Sequence, residues 1–132
     1  MTVTVDELLA RARRRLDRVQ PADVPAALAA GAVLVDIRSD AQRAADGVVP
    51  GEVRVARNVL EWRCDPASRW RHEAISDPAR QVILLCDGGY QSSLAAATLQ
   101  ELGLPRATDV DGGFQAWRAA GMPVEPARRT VF

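Results

Sequence analysis

Apolar residues recur at helical spacing near the start of the chain. Val5, Leu8, Leu9, Ala12 and Leu16 share one face of "TVDELLARARRRLDR". Thr4 and Glu7 fit a capping box, with acids in the first turn and arginines in the last. The spacing predicts an N-terminal helix within residues 1–16. Arg11, Arg14, Arg15 and Arg18 fall mostly off the apolar stripe and read as a solvated helix face. "PADVPAALAAG" predicts a second, short helix, with Asp23 as cap, Pro25 in the first turn and Gly31 as the stop. The periodicity then changes. "AVLVDIR" (32–38) and "QVILLC" (81–86) are nearly continuous apolar runs, and "ATDVDGG" (107–113) is a shorter third. Runs of this kind fit strands buried on both faces, as in a parallel sheet.

Between the last two runs lies "SLAAATLQELGLP". Its Leu94, Ala95, Thr98, Leu99 and Leu102 face one way, and Gly103 with Pro105 stops the helix. Strand, helix, strand predicts a right-handed crossover and an α/β layer fold. Residues 58–80 hold two Asp-Pro pairs and scattered apolar positions, which reads as a long connection with a single helical turn. No repeat, low-complexity segment or linker interrupts the chain, so one domain is expected across 1–132, with a helical extension at 1–16 and a core over about 17–125.

The chain has 132 residues, nearly half of them hydrophobic, which suits one core. Its formal net charge is zero, so no overall field favours nucleic acid or an anionic membrane, and neither is expected as a partner. All seventeen basic residues are arginine. The absence of lysine excludes Schiff-base chemistry and a phosphate loop ending in Gly-Lys. Two cysteines, Cys64 and Cys86, and one histidine, His72, make neither a disulfide framework nor a zinc site. The charged N-terminus does not look like a signal peptide, and no apolar stretch approaches the ~20 residues of a membrane span. A reducing, cytoplasmic setting is therefore expected.

The segment "LLCDGGYQSSLAAA" (84–97) is the densest in chemistry. In an open parallel sheet, ligands bind beyond the carboxyl ends of the strands, and Cys86 sits at such an end, with Asp36 and Asp111 expected at the same edge. Asp87, Gly88, Gly89, Tyr90, Gln91 and Ser92 follow, and a helix begins at once. Glycines let the loop curl so that successive N–H groups point inward, and the helix N-terminus adds its own. Ser92 or Ser93 is expected to cap that helix or to aim a hydroxyl at the sulfur. Such a cradle favours the thiolate over the thiol and makes Cys86 the candidate nucleophile.

"CDGGYQSS", preceded by "LVDIR" and followed by "DGGFQAWRAAGMPV", resembles the rhodanese-like family over residues 17–125. Asp36 and Arg38 match its aspartate-x-arginine. Gly47, Pro50 and Gly51 match part of a Gly-His-Ile-Pro-Gly-Ala segment. Cys86, Gly89 and Ser92 match its cysteine loop. Gly112, Gly113, Phe114, Trp117, Gly121 and Pro123 match its closing motif. The resemblance implies a three-layer α/β fold with a central, mostly parallel five-stranded sheet. It also implies sulfurtransferase chemistry, in which Cys86 takes a sulfane sulfur from a small donor and passes it to a thiol, cyanide-like or protein acceptor. The intermediate is a covalent persulfide on the cysteine, with no other cofactor. The loop Asp87–Ser92 would bind substrate and persulfide, with Asp36, Arg38 and Ser93 in support.

This chain departs from the pattern in having Gln91 where the family often has arginine, Asp87 where a basic residue often follows the cysteine, and Val48 in place of histidine. Losing both loop cations weakens the expectation of thiosulfate as donor, unless Arg57, Arg63, Arg69 or Arg71 reaches the site. A binding or regulatory module with little turnover is the alternative reading. Tyrosine phosphatases of this fold use a longer loop ending in arginine, where this chain has Ser92, so phosphoryl transfer is not expected. Cys64 reads as an incidental cysteine rather than a resolving one, and His72 as exposed. Trp62 and Trp70 read as packing residues in preference to a cover over the pocket, and Phe114 and Trp117 as core anchors.

Overall fold

The computed structural model describes residues 2–128, so both ends of the expected 1–132 span lie outside the described residues. The first helix, α1 (Val5–Arg14), carries the expected capping box of Thr4 and Glu7. Its apolar stripe is only partly used. Ala12 and Leu16 are buried, whereas Val5 is 69% exposed and Leu8 43%. Helix α2 (Val24–Ala29) has Pro25 in its first turn, although Asp23 makes no side-chain cap. Strand β1 (Val33–Asp36) and helix α3 (Asp40–Asp46) follow, the helix opened by a Ser39–Gln42 capping box. Strand β2 (Val53–Arg54), which the sequence pattern did not show, precedes α4 (Leu60–Cys64). The chain continues through β3 (Val82–Leu85), α5 (Gln91–Glu101), β4 (Thr108–Asp109) and α6 (Gly113–Ala119).

The four strands pair in parallel in the order β2-β1-β3-β4. Four strands stand where five were expected. Beyond β4 the edge continues only as a single parallel bridge from Val19 to Val110. The segment there turns away into α2 through Pro21 and Pro25, which lack the N–H a longer ladder needs.

Strand alternation builds two cores. Val35, Val82, Leu84 and Cys86 face α4 and α5, together with Leu60, Cys64, Ala95, Ala96 and Leu99. Leu34, Ile83 and Leu85 face the opposite way, against Val24, Val49, Phe114 and Trp117. Both sheet faces are therefore covered, which is why the strands read as unbroken apolar runs. The connection over 58–80 holds more structure than one helical turn: α4 is followed by a short 3-10 turn, Glu73–Ile75. Trp62 and Trp70 are both 56% exposed, so the packing role expected for them does not hold. Among the described residues, no helix is long and apolar enough to cross a membrane.

Candidate active site

Cys86 follows β3 directly, and its side chain falls on the α5 face of the sheet by strand parity. The loop from Asp87 to Tyr90 then turns back over the sulfur. The Gly89 N–H donates to Cys86 Sγ at 3.1 Å and the Ser92 N–H at 3.4 Å. Ser92 Oγ lies 3.2 Å from the same sulfur. The curl needs a left-handed residue, and Gly89 supplies it with φ 81°. Gly88 is not left-handed, so one glycine makes the turn rather than two.

The closing "DGGF" segment locks this loop from behind. Phe114 N–H donates to the Cys86 carbonyl at 2.8 Å, and Gln115 N–H to the Asp87 carbonyl at 3.1 Å. The backbones meet so closely that a Cβ on Gly113 would lie 2.6 Å from the Cys86 and Asp87 carbonyl oxygens. The first turn of α6 thus fixes the loop as well as closing the fold. Asp87 turns its side chain onto Gln115, accepting an N–H at 2.8 Å.

Ser92 and Ser93 do not cap α5. The helix starts at Gln91 with Tyr90 as its N-cap, and both serines sit in the first turn. Their hydroxyls instead donate to Asp109 Oδ2, each at 2.7 Å. The serine nearest the sulfur therefore has an acidic partner behind it. Asp109, at the end of β4, is a site residue that sequence reasoning missed; nothing in a two-residue strand marks its carboxylate as buried.

Arg18 also departs from its expected place. It lies on no solvated face: its side chain is 16% exposed and reaches beneath the cysteine loop. It donates from Nε to Asp109 Oδ1 at 2.9 Å, from Nη1 to Asp111 Oδ1 at 3.0 Å and from Nη2 to the Gly89 carbonyl at 2.9 Å. Burial works against its charge, but the hydrogen bond and charge of Asp109 outweigh it. Asp111 and Cys86 add to the effect, and the guanidinium is held above its ordinary value. Arg13 of α1 also grips this loop, from Nη2 to the Gly89 carbonyl at 2.7 Å and from Nε to Ser93 Oγ at 3.2 Å.

Asp36 and Arg38 form a buried pair at the end of β1, with Arg38 Nη2 to Asp36 Oδ2 at 2.8 Å and Arg38 N–H to Asp36 Oδ1 at 3.0 Å. Asp36 thus bonds to Arg38 and Arg43, not to the cysteine loop. Arg38 also ties the Gly47 carbonyl at 2.8 Å and lies over the Phe114 ring. The neighbouring Glu52 is pushed up to about 9, first by burial and then by Asp36. A proton there gives Glu52 Oε2 a donor's role; among the described residues that atom is otherwise unpartnered. Val48 replaces the family histidine with a buried side chain whose backbone pairs with Glu125.

A cavity of about 540 Å³ opens above the sulfur. The cysteine loop lines it with Cys86, Asp87, Gly88, Tyr90 and Gln91, and other segments contribute Arg38, Gln42, Arg54, Arg57 and Asn58. Arg57 reaches the site, and so does Arg54, which the sequence did not single out; Arg63, Arg69 and Arg71 do not line it. Each of the two is bridged to a carboxylate, Arg57 to Glu61 at 2.8 Å and Arg54 to Asp40 at 2.9 Å. Each retains a buried Nε without a partner among the described residues. Cys64 is a fully buried core residue whose thiol burial pushes up to about 12, with Glu61 adding to the shift. His72 is exposed, and its Nδ1 accepts the Ala74 N–H at 3.1 Å.

A parallel, helix-covered sheet with a curled cysteine loop at its carboxyl edge defines the class. The rhodanese-like domain model matches residues 20–120, and the chain belongs to that family. It is 34% identical over 102 residues to the thiosulfate sulfurtransferase GlpE of Pseudomonas savastanoi pv. phaseolicola, covering 77% of this chain and 87% of that protein. It is 28% identical over 92 residues to a sulfurtransferase of Allochromatium vinosum, covering 70% and 77%. Among solved structures, a Rhodopseudomonas palustris protein described as of unknown function and a possible tyrosine phosphatase superposes with TM-score 0.86. It is 34% identical, with 95% of this chain and 96% of that one covered. A rhodanese-like domain from Anabaena superposes with TM-score 0.67 at 20% identity, covering 83% and 79%.

Proposed function

We propose that this protein is a sulfurtransferase that carries sulfur as a persulfide on Cys86. The observation that carries the reading is the sulfur itself: Cys86 lines an open cavity, and two backbone N–H groups aim at its Sγ, at 3.1 and 3.4 Å. Those donors stabilise an anion, and both the thiolate and the persulfide are anions. The names of the relatives support the same chemistry.

In the first half-reaction the Cys86 thiolate attacks the sulfane sulfur of a donor. A new S–S bond forms, the donor's own bond to that sulfur breaks, and its electron pair leaves on the remainder of the donor. In the second, a thiolate or cyanide attacks the outer sulfur, and the pair of the broken S–S bond returns to Cys86. Gly89 and Ser92 N–H groups hold the negative charge in both states. Arg57 and Arg54 give an anionic donor counter-charges across the cavity, a role that Gln91 and Asp87 cannot fill. Phosphoryl transfer is disfavoured because the loop from Asp87 to Ser92 carries no cation of its own to clamp a phosphoryl oxyanion.

Intact-mass measurement after incubation with thiosulfate, polysulfide or 3-mercaptopyruvate tests the reading. It expects a gain of one sulfur that cyanide removes and that Cys86→Ser lacks. No gain from any donor would leave a binding module, and turnover of an aryl phosphate would favour a phosphatase.

A further inference from the structure

Residues 2–19 lie outside the segment that the family model matches, yet two of their arginines reach the loop around Cys86. Asp109 is fully buried and stands two hydrogen bonds behind the sulfur, through Ser92 Oγ at 2.7 Å and then 3.2 Å to Sγ. A bare carboxylate there would repel a thiolate and hold the Ser92 proton away from it. Arg18 meets that carboxylate with two N–H groups, at 2.9 and 3.2 Å. The same guanidinium and that of Arg13 both donate to the Gly89 carbonyl, at 2.9 and 2.7 Å, and Gly89 is the residue whose N–H points at Sγ. The charged and titratable groups around Cys86 are then Asp87 and Tyr90 in the loop, Asp109 and Asp111 at the end of β4, Arg13 and Arg18 beneath, and the cavity arginines Arg38, Arg54 and Arg57, each paired with a carboxylate, Asp36, Asp40 and Glu61. The two beneath are the cations that touch the loop itself.

We propose that Arg18 and Arg13 are positioning residues for Cys86. Arg18 cancels the charge of Asp109 behind the sulfur, and both arginines pin the Gly89 turn so that its N–H stays aimed at Sγ. The N-terminal segment is therefore part of the active site rather than an appendage. The proposal rests on Cys86 being the nucleophile, but not on what that nucleophile attacks.

The test is the rate of Cys86 alkylation by iodoacetamide as a function of pH, on a Cys64→Ala background so that one thiol is read. Arg18→Gln is expected to slow alkylation at pH 7 at least fivefold and to move the profile to higher pH. Asp109→Asn should move it to lower pH. The Arg18→Gln/Asp109→Asn double variant, which removes both charges, should return to within about threefold of the parent rate. A merely structural role would give the double variant the larger loss of the two singles. Arg13→Ala should shift the profile in the direction of Arg18→Gln but less, since Arg13 does not touch Asp109. A profile for Arg18→Gln that superposes on the parent, or a double variant worse than either single, overturns the proposal. If Arg18→Gln fails to fold, Asp109→Asn and Arg13→Ala decide, and shifts opposite to those stated overturn it. Alkylation needs no sulfur donor. A chain that alkylates as stated but never gains sulfur overturns the sulfurtransferase reading and leaves this one standing.

Discussion

The seam between the cysteine loop and the α6 turn can be measured with two alanines. At Gly89 an added Cβ would lie 2.8 Å from Gly112 N, 3.0 Å from Gly113 N and 3.1 Å from Gly112 C, all backbone atoms that no rotamer change can clear. At Gly51 the backbone has nearly the same φ, 80° against 81°, and a Cβ would meet nothing within 4 Å. Gly51→Ala therefore reports the left-handed penalty alone, about 1–2 kcal/mol. Gly89→Ala carries that cost plus overpacking of about 1–3 kcal/mol, for a sum of roughly 2–5 kcal/mol. At this chain length ~1 kcal/mol moves Tm by about 4 °C, so the two variants should separate by about 4–12 °C in a thermal melt, with denaturant unfolding as the check. Function should separate further. Gly89→Ala displaces a donor of the sulfur cradle and is expected to cut persulfide formation at least about tenfold, a loss of ~1.4 kcal/mol or more in transition-state stabilisation. Gly51→Ala should leave it within about twofold. If Gly89→Ala costs no more stability than Gly51→Ala, the two loops do not meet backbone to backbone, and the account of how α6 fixes the site is wrong.

Arg57→Ala should raise KM for thiosulfate by about tenfold or more, the value of one charge-assisted hydrogen bond of ~1.5–3 kcal/mol, with a smaller effect on an uncharged donor; equal effects on both donors in steady-state assays would remove Arg57 from the donor site. Cys64→Ala should retain sulfur loading, because a thiol pushed up to about 12 is neither a nucleophile nor a resolving group at neutral pH; it should cost about 1–2 kcal/mol of stability through lost core packing, and lost loading with intact folding would contradict this. Glu52, raised to about 9 in the fold from 4.5, binds its proton more tightly folded than unfolded. Its contribution to stability is thus complete below about pH 4.5 and declines as pH rises through 9. Denaturation midpoints followed from pH 5 to 9 should show that decline in the parent and a flatter profile in Glu52→Gln, which keeps an amide donor at all pH values; parallel profiles would mean Glu52 is not protonated in the fold.

Geometry carried by neighbours in sequence was legible in the sequence. The run ending at Cys86, the glycine at its turn and the helix that follows are contiguous, so their geometry is local, and the cradle of Gly89 and Ser92 N–H groups is where the spacing put it. Asp36 and Arg38, two residues apart at a strand end, likewise pair locally. Strand β2 escaped notice because two residues carry too little pattern to distinguish from a loop. The fifth strand was implied by the family resemblance, and the segment at Val19, followed at once by Pro21, does not form it. Trp62 and Trp70 read as packing residues from sequence, and the structure leaves both half-exposed.

What the sequence determined by itself is therefore the parallel α/β layering and the curl of the loop around Cys86, since both follow from strand alternation and from the conformational freedom of one glycine. What only the tertiary structure decided is the charge around that cradle. Arg18 joins Asp109 across 91 positions and Arg13 joins Gly89 across 76. Burial and pairing of a charge depend on which distant segments the fold brings against it. A guanidinium on or just beyond an amphipathic helix reads the same from sequence whether it meets water or a buried carboxylate.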